Sequence, residues 1–211
     1  MTDRYDASGL LEGQYEPGSS NTVLANKLGI TDSAEMDQLE LELLAELTQV
    51  LFDEVEEGQV LSVADLCEWH RRWLGNVYGW AGQYRSVNIG KGNFQFAIAS
   101  LIPQLIVVFE KSFLFPKACH KGMTDDELID SLAVVHAEFI LVHPFREGNG
   151  RLSRLLAVVM AVQAGRSVLD FSWLDAHKQD YFLAVQASLD NIEPMKAVFR
   201  QVVRDTEKSF G

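Results

Sequence analysis

Cations are scarce in this chain: 18 lysines and arginines face 30 aspartates and glutamates, a formal net charge of −12. Such a body repels phosphate backbones and anionic headgroups, so the expectation is no broad binding of nucleic acid and none of a membrane surface. Cysteine is scarcer still. Cys67 and Cys119 are too few for a disulfide framework, and Cys67 with His70 is half a metal site without a second half. Long apolar runs are missing from this reading too: Leu155 to Val162 is far shorter than the roughly 20 residues that cross a bilayer. The start, Met1-Thr-Asp-Arg-Tyr-Asp, has neither the basic nor the apolar region of a secretory signal, so the expected location is cytoplasmic. No internal repeat or low-complexity tract occurs. What is left is one domain, or a domain with an extension, whose 211 residues suffice for a sizeable core.

Against that acidic background one cationic stretch stands out, His143-Pro-Phe-Arg-Glu-Gly-Asn-Gly-Arg-Leu-Ser-Arg154. It lies between two helical patterns. Leu128, Leu132, Val135 and Phe139 recur at helical spacing, with Thr124 and Glu127 as a capping box, and Pro144 should end that helix near His143. A second helix starts at about Asn149 and runs through Leu155, Val158, Val159 and Val162 to a stop at Gly165; apolar nearly all round, it should be buried. Its amino end carries Gly148-Asn149-Gly150, where glycines leave backbone N–H groups open to an anion. Arg151 and Arg154, three apart, can face the same anion, and a polyphosphate suits them better than a lone carboxylate. Glu147 beside bound phosphates is suited to hold Mg2+. His143, of near-neutral pKa, is suited to take a proton from a hydroxyl. The residues alone point to a nucleotide-dependent transferase or hydrolase.

The stretch fills every specified position of His-x-Phe-x-Asp/Glu-Gly-Asn-Gly-Arg-x-x-Arg and so resembles the signature of the Fic family within the Fic/Doc superfamily. The resemblance implies a mainly helical, compact bundle, the Fic fold, with a small β-hairpin flap over the active site. It implies a protein adenylyltransferase that moves AMP from ATP, the co-substrate, to a hydroxyl side chain of a target protein and releases pyrophosphate. By that resemblance His143 is the general base, Phe145 the structural anchor of the loop and Glu147 the Mg2+ ligand. Gly148, Asn149 and Gly150 form the phosphate cradle, and Arg151 and Arg154 hold the outer phosphates. The Doc branch, which phosphorylates its target, has lysine in place of the second glycine, so Gly150 favours AMP transfer. Two other readings stay open: an inactive module that senses nucleotide, or a transferase using another donor such as UMP, phosphocholine or phosphate.

Residues 1–30, rich in Gly, Ser, Asn and Asp, read as an irregular amino-terminal arm, and residues 31–211 as the Fic domain with its flanking helices. The arm's Ser8-Gly-Leu-Leu-Glu12-Gly13 resembles the family's inhibitory pattern, which implies a Glu12 carboxylate on the Arg154 guanidinium in competition with phosphate. The alternative source of inhibition is a separate antitoxin-like protein, or none. Thr31 to Glu57 should be a helix with Met36, Leu39, Leu43, Leu47, Val50 and Leu51 on one face, and Leu61 to Tyr78 another, capped by Ser62. His70, Arg71 and Arg72 on it read as solvated or packed. Ser86 to Phe96 should form the hairpin, with Val87 and Ile89 on one arm and Phe94 and Phe96 on the other. By resemblance it is the flap, with Lys91 and Gly92 as its ligand contacts. A helical or mixed apolar segment, Ala99 to Phe115, should be interrupted at Pro103, and Phe171 to Leu189 and Pro194 to Lys208 should be helical. Tyr181 and Gln186 fall where relatives contact base or ribose.

Overall fold

A computed structural model describes residues 11–56 and 58–210. Its centre is the helix α5 (Asn149–Gln163), in which Leu152, Leu155, Leu156, Ala157, Val159, Met160 and Ala161 are all buried. The all-round apolar pattern meant a helix inside the core, and that is where it sits, beside α4 (Asp125–Val142). The Thr124–Glu127 capping box forms: Glu127 N donates to Thr124 Oγ1 at 3.3 Å and Thr124 N to Glu127 Oε2 at 2.8 Å. Around this pair lie α1 (Ser33–Glu54), α2 (Val63–Leu74), α3 (Ile102–Phe109), α6 (Ser172–Ala176), α7 (Lys178–Ala187) and α8 (Glu193–Phe210). The chain is mainly helical, as expected.

A two-stranded antiparallel hairpin, β1 (Gly90–Lys91) and β2 (Phe94–Gln95), pairs Gly90 with Gln95 and Lys91 with Phe94. The ladder is shorter than the alternation of Val87, Ile89, Phe94 and Phe96 suggested. Below it only the bond from Phe96 N to Ile89 O, 3.3 Å, continues the pairing. Gly92, at φ +59°, turns the tip.

Four local expectations change. Pro103 opens α3 instead of interrupting it, because a first-turn proline has no N–H to lose. α3 then continues as a π-turn and a 3-10 turn. The whole helical stretch Ala99–Lys117, 19 residues of mean hydropathy 1.3, is by length and composition alone apolar enough to cross a membrane, which corrects the reading that no such run exists. Here its Ile102, Ile106, Phe109 and Leu114 are core residues, while Leu101, Val107, Val108 and Phe115 are exposed. Val50 lies off the buried face of α1, and a carboxylate, Glu40 at 2 % exposure, lies on it. His177 divides the expected helix after Phe171 into α6 and α7.

The described part of the arm, residues 11–30, is irregular but pinned. Glu16 N bonds Val23 O at 2.9 Å, Asn26 accepts from Ile30 N at 3.0 Å, and Lys27 donates to Val77 O and Gly75 O at 2.8 and 2.6 Å.

Candidate active site

The loop between α4 and α5 begins with a left-handed residue. His143 has φ 51° and ψ 61°, and its N–H still caps α4 by bonding Phe139 O at 2.9 Å. For a non-glycine this conformation costs about 1–2 kcal/mol, and Pro144 is why α4 cannot run on. The His143 ring stacks on Phe96 of the hairpin, centroids 3.8 Å apart, and its Nδ1 lies 3.1 Å from Ile140 O. A carbonyl can only accept, so Nδ1 carries the proton and Nε2 keeps its lone pair. Burial pushes the imidazole pKa down to about 4; the Ile140 bond opposes this, while the charges of Arg85 and Lys91 add to it. The ring is therefore neutral at pH 7, the form that accepts a proton.

Phe145 anchors the loop at 1 % exposure. The Asn149 side chain closes on it, Nδ2 donating to Phe145 O at 2.8 Å and Oδ1 accepting from Phe145 N at 2.9 Å. The Asn149 amide is thus spent on the loop itself, and the part of that residue left for a cradle is its backbone. Gly148 (φ +80°) admits no other residue, since a Cβ there would lie 2.6 Å from the Trp73 ring. Gly150 is the reverse case. A Cβ on it would meet nothing within 4 Å, so the space over the amino end of α5 is open.

His70 holds the loop from beneath. Gly82 N–H donates to its Nδ1 at 2.8 Å, which leaves Nε2–H to donate to Glu147 O at 3.1 Å, and its ring stacks on Phe145 at 4.0 Å. Burial pushes its pKa down to about 4, in keeping with a neutral ring in that tautomer. It is packed, as expected, but its bond to the signature loop was missed. The signal was present: Leu66, His70, Trp73 and Val77 fall on one helical stripe that is otherwise apolar.

Arg151 and Arg154 do not converge on one point free of protein. Arg151 Nη2 is paired with the buried Glu40, whose other oxygen accepts from Tyr78 OH at 2.7 Å, and its guanidinium lies 4.9 Å from the Trp73 ring. Arg154 Nη1 bonds Asp175 Oδ1 at 2.8 Å, and its guanidinium lies 5.5 Å from the Phe171 ring. Glu147, 45 % exposed, accepts from Gly148 N at 2.9 Å and lies 3.6 Å from Arg151. Among the described residues no three His, Cys, Asp or Glu side chains group to hold a metal. One accessible carboxylate still fits Mg2+, which keeps several waters and takes its remaining ligands from substrate phosphates.

The hairpin reaches α7 through Lys91, 4.9 Å over the Phe182 ring, and through Phe94, 5.9 Å from the same ring. Gly92 has open space around its Cα. Tyr181 needs correction: its OH is 2.7 Å from Nε2 of the buried His136 on α4, so the phenol is engaged inside the bundle while its neighbour Phe182 faces the hairpin. Gln186 is half-buried on the same helix, and among the described residues no hydrogen bond links its side chain to the loop. Glu12 also needs correction. Its carboxylate accepts from Ser86 N at 2.7 Å and from Ser86 Oγ, and its carbonyl accepts from Arg146 Nε at 2.8 Å. The expected pair with Arg154 is not formed, because Arg154 is on Asp175 and the 3-10 turn Leu11–Gly13 sits at the root of the hairpin. Ser8 lies outside the described residues.

Comparison with known proteins places this geometry. The sequence pattern of the Fic/DOC family matches residues 60–161. A probable protein adenylyltransferase Fic of Salmonella typhimurium is 24 % identical over 194 residues, 89 % of this chain and 90 % of the relative. A probable protein adenylyltransferase of Sinorhizobium fredii is 28 % identical over 191 residues, 86 % and 91 % of the two chains. Among solved structures, the amino-terminal Fic domain of a Bartonella effector protein superposes with a TM-score of 0.75 at 20 % identity, covering 93 % of each chain. BepC of Bartonella tribocorum, solved with bound AMPPNP, gives 0.69 at 24 % identity over 87 % of this chain and 93 % of that one. The helical bundle with its hairpin is a Fic fold. Residues 60–161 of the chain are a Fic/DOC family domain.

Proposed function

We propose that this chain is a protein adenylyltransferase. It transfers AMP from ATP to the hydroxyl of a Tyr, Thr or Ser on a target protein. The observation that carries the reading is the state of His143: neutral, with Nδ1–H committed to Ile140 O and Nε2 left as the acceptor, seven residues before the open Gly150 at a helix amino end. The names of the relatives and the AMPPNP in BepC support ATP as the donor. In the proposed reaction His143 takes the hydroxyl proton, the oxygen bonds to the α-phosphorus, the bond to the β-phosphate oxygen breaks and pyrophosphate leaves. The backbone of residues 148–150 and Arg154 hold the phosphates, placing the α-phosphate in line and stabilising its charge. Glu147 is the residue to hold Mg2+, which when bound neutralises phosphate charge. A lysine is the family's mark of phosphate transfer at the position of Gly150, and here that position is bare.

The experiment is transfer of label from α-labelled ATP to proteins of a lysate. His143→Ala should lower transfer about 10²- to 10⁴-fold, the range of a lost general base, with ATP affinity little changed. Wild-type kcat/KM should hold down to about pH 5 and fall only near 4, since the neutral imidazole is the active form and its pKa is pushed down to about 4. Undiminished transfer by His143→Ala would remove the base. Tight ATP binding without transfer would favour a nucleotide-sensing module, and transfer from labelled UTP alone another donor.

A further inference from the structure

We propose that Arg85 is the positioning residue of this site, the one side chain that fixes the general base and both arms of the hairpin to each other. The inference rests on the adenylyltransferase reading. Arg85 is 2 % exposed, and among the described residues no carboxylate is hydrogen-bonded to it. An arginine so buried ordinarily has an acidic partner. Its partners here are carbonyls: Nε donates to His143 O at 2.7 Å, Nη1 to Val87 O at 2.7 Å, and Nη2 to Ala97 O at 2.6 Å and Val142 O at 3.3 Å. Its backbone N–H takes Pro144 O at 2.8 Å.

These carbonyls share one property. Those of Val142, His143 and Pro144 lie at and just past the carboxyl end of α4, where no further turn supplies N–H donors. Those of Val87 and Ala97 lie beyond the ends of the short β-ladder, one on each arm. A planar fork with five donors in fixed geometry can span the three chain segments; a lysine, with three donors at one point, cannot. The result bears on the His143 ring from two sides. Its carbonyl is held in the left-handed conformation, and Phe96, on which the ring stacks, adjoins the anchored Ala97. Burial is the main cause that keeps the imidazole neutral, and the charge of Arg85, which no bonded carboxylate offsets, adds to it together with that of Lys91. Glu12 is placed one residue away, on Ser86, where its charge partly offsets that of Arg85.

The test compares wild type with Arg85→Met and Arg85→Lys by steady-state transfer, by thermal melting and by NMR titration of the His143 ring. Arg85→Met should cut kcat by about 100-fold, as sub-ångström placement errors do, with the KM for ATP nearly unchanged. The His143 titration should move up from about 4 toward its ordinary value, and Arg85→Lys should recover part of the kcat and none of the two-arm anchoring. A loss of kcat no larger than the unfolded fraction explains, with His143 titrating as in wild type, would overturn the proposal. If Arg85→Met does not fold, Arg85→Lys is decisive by kcat against thermal melting alone, since lysine keeps the charge beside the imidazole and loses the fork: a kcat equal to wild type in the folded variant would overturn the proposal. Should wild type transfer no AMP, the functional reading fails while the His143 titration still judges Arg85.

Discussion

Arg151 and Arg154 are the same residue type, one helical turn apart on α5, yet the protein uses them in opposite ways. Arg151 is paired with a carboxylate at 2 % exposure that is also held by Tyr78 OH, and Trp73 Nε1 donates to the carbonyl of the same Glu40 at 2.8 Å. Arg154 is paired with Asp175, 59 % exposed on the short helix α6. A phosphate that takes the place of the carboxylate meets a different cost at each guanidinium. At Arg151 that strands a buried charge with only a phenol for company; at Arg154 the freed carboxylate simply rehydrates. The signature thus contains one arginine that belongs to the packing between α1 and α5 and one that is exchangeable, and the second is the arginine to assign to the nucleotide.

The largest effect expected from this contrast is on stability. Arg151→Ala should cost about 3–5 kcal/mol by orphaning Glu40, while Arg154→Ala should cost less than about 1 kcal/mol, both read from denaturant midpoints. Glu40→Gln in the Arg151→Ala background should return part of the loss, since a neutral amide is cheaper to bury than a lone carboxylate. Equal losses at the two arginines would end the distinction. Nucleotide binding should rank them the other way: Arg154→Ala should weaken ATP binding by about tenfold or more, the worth of a charge-assisted bond to phosphate, measured by calorimetry on folded protein.

Why the sequence showed one half of this and hid the other is physical. The caps at Ser62 and Thr124, the all-round apolar α5 and the stop at His143-Pro144 are written in residues three or four apart, and local spacing is enough to read them. The partners of the arginines are written 111 and 21 residues away, on α1 and α6, and only the packed bundle brings them in. In sequence Glu40 is one of several acids on α1, and a single carboxylate on an apolar stripe is indistinguishable from a solvated one until its partner is known. Arg85 was hidden for the same reason, since carbonyls leave no trace in sequence. Glu12 was read from a six-residue pattern that fixes spacing but not destination, and its carboxylate goes to Ser86. Asn149 carries the signature's asparagine, yet its amide serves the loop's own backbone.

The smallest effect is the sharpest probe of which arginine is exchangeable. Asp175→Asn keeps size and polarity and removes the charge that competes with phosphate for Arg154. An exposed pair is worth about 0.2–1 kcal/mol, so ATP affinity should rise by about 1.4- to fivefold, and the gain should shrink as salt screens the wild-type pair. Glu40→Gln should give no such gain, because the amide at that buried position still accepts from Tyr78 OH and Arg151 still lies over the Trp73 ring. A gain at Glu40 and none at Asp175 would reverse the assignment and make Arg151 the ligand. An unchanged affinity at both would mean that neither pair stands between the nucleotide and α5, leaving the backbone at Gly148 to Gly150 as the main anchor.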